Sequence, residues 1–250
     1  MRALCEHEGW FAPVGYACHA LQTNTFENVT LWGNESLVTP GKLLLFSSAK
    51  AAHLASSQVQ LGPYASPLLG ASLFACLPAG LRELHVNPVS PQEQGWYLAD
   101  GALAVGALWG QAIRLEQMLA GNLAGNLIDA LLDYSGWTIF AHPNGSIVTA
   151  QGAGGLQNPG MVFTSPDCVD RALQELGAQA ASLRRVPIDG KSLFGNFSRW
   201  GVDGFLINPF GPGVPKMFDT NISQGIVRAL ELRNQAELAE AEAKRLSEGR

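Results

Sequence analysis

Two stretches of this chain share one construction, and that repetition limits what it can fold into. In "ELHVNPVSPQEQGWYL" (Glu83 to Leu98) and "GFLINPFGPGVPKMF" (Gly204 to Phe218), a short apolar run stops at Asn-Pro. A turn-rich loop follows, and then a second apolar patch. Proline cannot donate to a strand ladder, so each run must end there as a strand. Phe205 and Ile207 fall on one face of the second run and Leu206 on the other, which predicts a central strand buried on both sides. In the first run His85 stands where Leu206 stands in the second, predicting one wetter face.

The echo continues upstream. "VTLWGNESLVT" (Val29 to Thr39) answers "WTIFAHPNGSIVT" (Trp137 to Thr149), each reading as a β-hairpin around a Gly/Asn turn. "LLLFSSAKAAHLAS" (Leu43 to Ser56) answers "GMVFTSPDCVDRAL" (Gly160 to Leu173), an apolar strand running into a helical pattern. "GASLFACLPAGLRELHVNP" answers "GKSLFGNFSRWGVDGFLINP", sharing Gly-x-Ser-Leu-Phe. The blocks keep their order at a separation of roughly 120 positions, far beyond the roughly 20–50 of solenoid repeats.

The expectation is a duplicated domain of α/β (α+β) class: two tandem homologous modules, each a mixed β-sheet with packed helices. Residues 1–20 form an N-terminal segment and 21–120 the first module with its closing helix. A helical connector covers 121–136, the second module with its closing helix 137–235, and a charged helical tail 236–250. Asp219 or Asn221 can cap the closing helix, and Glu240 and Lys244 are spaced for an i,i+4 pair.

Local chemistry explains the recurring polar residues. Ser165 sits where an N-cap belongs, Pro166 at the first helical position, and Asp167 at the positive end of the helix dipole. Ser47 or Ser48 takes the capping place in the first module. Asn208, pushed toward an extended conformation by Pro209, is expected to bond its own downstream backbone and open the turn, with Asn87 doing the same.

Composition narrows the classes further. Apolar residues make up 47% and charged residues 15%, a globular balance without the charge excess of a disordered chain. A net charge of -5 with no stripe of Lys or Arg argues against nucleic acid as a partner. No apolar run reaches membrane-span length, and the N-terminus lacks a signal-peptide core, so the expected location is the cytoplasm. Four scattered cysteines are no disulfide scaffold. The five Asn-x-Ser/Thr sequons, at Asn28, Asn34, Asn144, Asn196 and Asn221, read as turn and capping positions.

Strand-"FTS"-helix followed by a strand ending in "INP" or "VNP" resembles the SseB N-terminal domain family, named for a bacterial enhanced serine sensitivity protein. The resemblance covers most of Val29–Leu98 and Trp137–Phe218. Phe163-Thr164-Ser165 and Ile207-Asn208-Pro209 match the pattern as they stand, whereas the first module departs at Ser47 and His85. It implies a bacterial α/β module and brings no established reaction or catalytic residues.

No residue set supports a catalytic, cofactor or metal assignment. Cys5, His7, Cys18 and His19 crowd the N-terminus, but their spacing matches none of the usual zinc patterns. "GASLF" and "GKSLF" lack the final glycine of a nucleophile elbow. Cys76 and Cys168 lie in apolar or helical settings typical of inert thiols, and His53, His85 and His142 fall on a helix, a strand and a turn. "GAGGLQNPG" (Gly152 to Gly160) and "GPGVPK" (Gly211 to Lys216) lack phosphate-loop spacing and read as linkers. Asp167 and Asp170 share a solvated helix face. The expected function is therefore non-enzymatic protein binding or scaffolding, without cofactor, with a protein as partner. The alternative is a small-molecule-binding or catalytic protein with its site between the modules.

Overall fold

Short apolar runs build the sheets in the structure, a computed structural model that describes residues 1–11, 42–53, 68–75, 77, 81–87, 96–150, 152, 155–211 and 215–248. The first expected hairpin, Val29 to Thr39, lies outside the described residues. The chain divides into two compact units, Met1–Arg114 and Leu115–Arg250. The fold class is mixed α/β, with one mixed sheet and packed helices in each unit.

In the first unit the elements are α1 (Arg2–Glu6), β1 (Lys42–Leu45), α2 (Gly70–Ala75), β2 (Glu83–Val86) and β3 (Trp96–Ala99). Helix α3 (Asp100–Ala120) begins in this unit and ends in the next. Strand β2 pairs parallel with β1 and antiparallel with β3. Leu84 and Val86 of β2 are buried while Glu83 and His85 stay half-buried, as the alternation predicts. His85 contacts Glu83 Oε2 at 2.9 Å and stacks on Tyr97 of β3. Leu45, Leu73, Phe74, Leu84 and Trp10 form the core.

The second unit holds α4 (Leu127–Asp133), β4 (Trp137–Ala141), β5 (Gly160–Phe163), α5 (Pro166–Leu176), β6 (Arg184–Ile188), α6 (Gly190–Gly195), β7 (Gly204–Ile207), β8 (Lys216–Asp219) and α7 (Thr220–Glu248). Its sheet runs β6-β4-β5-β7-β8, with β5 and β7 parallel and the other pairs antiparallel. Strand β7 is interior and buried along its whole length, as its two apolar faces require. Edge strand β6 carries Arg184, Arg185 and Pro187, which blunt an open edge against further pairing. The second expected hairpin is present: His142 N donates to Ser146 O and Val148 N to Phe140 O, both at 2.8 Å. Tyr134, Trp137, Phe194 and Phe205 form a run of edge-to-face ring contacts through the core.

Several contacts of the two units match. Trp137 Nε1 donates to Leu131 O six residues back, and Trp10 Nε1 does the same to Leu4 O. Thr138 pairs with Phe163, and Phe11 pairs with Phe46. Trp137 pairs with Ile188, two residues before Gly190, and Trp10 bridges Leu68, two before Gly70. Trp10 thus makes in the first unit contacts like those Trp137 makes in the second.

The glycines of the two Gly-x-Ser-Leu-Phe motifs share a role. Gly70 N donates to His7 O and Gly190 N to Tyr134 O, both at 2.8 Å. A Cβ at Gly70 would lie 2.8 Å from Cys5 O, and one at Gly190 would lie 2.7 Å from Leu132 O. Each glycine is needed because a backbone passes where a side chain would begin.

Helix α7 is capped by Asp219, whose Oδ1 accepts from Ile222 N at 2.8 Å. Ser223, Ile226 and Leu230 are buried, and from 234 to 248 the helix is exposed throughout. The expected Glu240–Lys244 spacing is helical, and Lys244 lies 3.9 Å from Glu248. Arg233 anchors the helix root, 2.8 Å from Asp133 and 3.3 Å from Glu237. Glu237 also meets Lys191 at 3.1 Å, and these bonds hold the Glu237 carboxyl below its usual range.

Candidate functional site

A polar constellation of the second unit lies where the parallel strands β5 and β7 end, a position at which α/β sheets bind ligands. Its centre is Asn208. Contrary to the extended conformation expected before proline, Asn208 has φ +50°, and Asn87 has φ +49°. Asparagine tolerates this left-handed region better than other residues with a Cβ. The side chain does not turn back on its own downstream backbone. It reaches across to the end of β5, where Oδ1 accepts from Thr164 N at 3.0 Å and Nδ2 donates to Thr164 Oγ1 at 2.8 Å.

Asn87 repeats the arrangement in the first unit. Its Oδ1 accepts from Ser47 N at 3.0 Å and its Nδ2 donates to Ser47 Oγ at 2.9 Å. Backbone bonds flank each bracket, Asn208 N to Val162 O at 2.9 Å and Asn87 N to Leu45 O at 2.8 Å. In both places one asparagine closes the ladder between parallel strands where the backbone pattern runs out.

Further groups gather around Thr164. Its hydroxyl donates to Glu116 Oε1 at 2.6 Å, and its carbonyl accepts from the Tyr134 hydroxyl. Burial first, then the nearby Glu116 and Cys168, push the Tyr134 phenol pKa upward, so it stays a protonated donor. Cys168 Sγ accepts from Ser165 Oγ at 3.2 Å and lies 3.9 Å from Glu116 Oε1. Ser165 occupies the N-cap position with Pro166 and Asp167 behind it, as expected, but its side chain makes no capping bond. In the first unit Ser48 does cap, its Oγ accepting from Ala51 N at 3.1 Å.

The other candidates are dispersed. Cys5 is buried, its thiol donates to Gly106 O at 3.7 Å, and burial pushes its pKa up to about 12. His7 instead contacts Ser47 O at 3.2 Å and packs edge-on against Trp10. Cys18, His19 and Cys76 lie outside the described residues. Among the described residues no group of three or more His, Cys, Asp or Glu is placed to hold a metal ion. His53 and His142 are exposed. Asp170 pairs with Arg185 at 3.3 Å, both well exposed.

The glycine-rich stretch from Gly152 to Gly160 lies on the hairpin leading into β5, with Ala153 and Gly154 outside the described residues. Asp203 fixes it, accepting from Gln157 N at 2.6 Å and Asn158 N at 3.0 Å. Those amides are occupied by a carboxylate of the protein itself. Of the second loop, Gly211 is described and 212–214 are not.

Glu116 and Tyr134 were missed by the sequence reading. Neither lies in a repeated block, and nothing local marks a residue whose partner is 48 or 30 positions away.

No family model matches the chain, and no curated protein matches it. Among solved structures, one described as Anabaena Tic22 (protein transport) is similar at 11% identity, over 80% of this chain and 87% of that one, with a TM-score of 0.26. A likeness of that size carries no argument about fold or role. Among the described residues no helix is long and apolar enough to cross a membrane.

Proposed function

We propose that the chain is a non-enzymatic protein-binding or scaffold protein of the bacterial, cytoplasmic SseB-like type, built from two duplicated modules. The observation that carries this reading is the asparagine bracket, present in both units with the same donors and acceptors. The most conspicuous polar residues of the repeat are occupied in joining strands, which gives them a structural purpose. Matching tryptophan and glycine contacts support descent from one ancestral module. The partner is a protein. Exposed Leu238 and Leu246 on the far turns of α7 supply apolar surface of the kind a partner helix or groove covers.

Two measurements together test this reading. Affinity capture from the native host, with the intact chain as bait, should recover a defined protein whose binding weakens when Leu238 and Leu246 are both replaced by Glu. A thermal-shift screen against metabolites, serine included, should give no saturable rise in melting temperature. A saturable rise would instead establish small-molecule binding and overturn the scaffold reading.

A further inference from the structure

The hairpin tip at Pro143-Asn144-Gly145 serves neither the bracket nor the core, and its chemistry points elsewhere. We propose that Asn144 is a site of spontaneous covalent modification: its side-chain amide is attacked by the Gly145 backbone nitrogen, converting the asparagine to aspartate or isoaspartate. Asn144 is the one asparagine in the chain followed by glycine. Ring closure requires the next residue's nitrogen to approach the amide carbon, which a side chain on that residue obstructs. Asn87, Asn158 and Asn208 precede proline and so face a nitrogen with no proton to lose.

The structure adds three conditions to the sequence. Asn144, Gly145 and Ser146 are all exposed, so water reaches the site. Gly145 has φ +87°, and nothing lies within 4 Å of where its Cβ would be. The amide oxygen of Asn144 accepts two hydrogen bonds, from Ser146 N at 3.0 Å and Ser146 Oγ at 2.8 Å. Two donors on one carbonyl oxygen withdraw electron density from its carbon and stabilise the negative charge that forms on the oxygen during attack. Gly145 N itself donates to His142 O at 2.9 Å, a bond at an exposed tip that opens before the nitrogen can react.

The step balances with water as the only other reactant. The Gly145 N–Cγ bond forms, that nitrogen loses its proton, and the amide nitrogen departs as ammonia, leaving a five-membered imide. Water then opens the imide at one carbonyl or the other. Opening at the backbone carbonyl gives isoaspartate, and opening at the side-chain carbonyl gives aspartate. An aspartate carboxylate can accept from the same two Ser146 donors, so that product fits the turn and adds a negative charge. Isoaspartate lengthens the main chain and disturbs the His142 N to Ser146 O bond.

The intact chain incubated in mildly alkaline ¹⁸O-water and mapped by peptide mass spectrometry tests this. The amide-to-acid conversion should appear first in the peptide containing Asn144, with one ¹⁸O incorporated and part of the product recognised as isoaspartate. Ser146→Ala removes one donor and should slow conversion several-fold, with an unchanged circular dichroism spectrum showing that the variant folds. Asn144→Gln should abolish the signal, because its longer side chain would need a six-membered ring. The proposal is overturned if another asparagine converts first, or if Ser146→Ala converts as fast as the parent. It is equally overturned if Asn144 stays an amide while a free peptide of the same turn sequence converts.

Discussion

Asn208 and Thr164 bind each other twice across the ends of two parallel strands, amide oxygen to backbone N–H at 3.0 Å and amide nitrogen to hydroxyl at 2.8 Å. One side chain thereby continues a ladder that Pro209 would otherwise end. Asparagine fits the position because it carries a donor and an acceptor on a short stem and tolerates a φ of +50°.

Replacing Asn208 by Ala removes both bonds, strands the Thr164 N–H and places an alanine at positive φ. The expected loss is about 2–4 kcal/mol, read from the urea transition of the second unit. Asn208→Gly keeps the backbone conformation cheap and should cost about 1 kcal/mol less. Equal losses for the two variants would show that the backbone conformation contributes nothing. Asn87→Ala should destabilise the first unit in the same direction.

Gly190→Ala sets a methyl group against the carbonyl oxygens of Leu131 and Leu132. Backbone atoms cannot swing aside as a side chain does, so a loss of about 3 kcal/mol is expected. Gly70→Ala meets the carbonyls of Leu4, Cys5 and His7 in the same way. A thermal melt of either variant that matched the parent would mean these backbones have room to part.

Asp203→Ala releases Gln157 N and Asn158 N, two hydrogen bonds to a charged acceptor. About 1–2 kcal/mol should be lost, with cleavage between 150 and 160 accelerated in limited proteolysis. Asp203→Asn retains one acceptor oxygen and should fall between parent and alanine.

Asp189 caps α6, its carboxylate accepting from Ser192 N at 2.8 Å and Ser192 Oγ at 2.7 Å. These bonds favour the charged form and lower its pKa. A group whose folded pKa is depressed stabilises above its unfolded value, about 3.9 for aspartate, and loses that stabilisation as pH falls through the folded value. Asp189→Ala should therefore cost about 1 kcal/mol at neutral pH, a typical N-cap loss. The gap in melting temperature between parent and variant should narrow below pH ~4. A gap constant with pH would rule out the charged form of the cap.

Much was legible in the sequence because it depended on neighbours. Alternation placed Leu84 and Val86 inside and His85 at a wetter face, while two apolar faces placed β7 in the sheet interior. Pro166 and Asp167 marked the start of α5, and the Pro143-Asn144-Gly145 turn marked the hairpin after β4. Each of these follows from a period or a φ restriction acting over a few residues.

Only the tertiary structure decided what lay across strands. Local rules sent the Asn208 side chain downstream and held its backbone extended, but parallel pairing of β5 with β7 put an unfilled N–H and a hydroxyl within its reach, and two hydrogen bonds outweighed the local preference. Glu116 and Tyr134, 48 and 30 positions before it, likewise reach Thr164 only in the folded chain. Trp10 bridges Leu68 as Trp137 pairs with Ile188, and spacing along the chain does not record such partners because they are brought together only by the folded sheet.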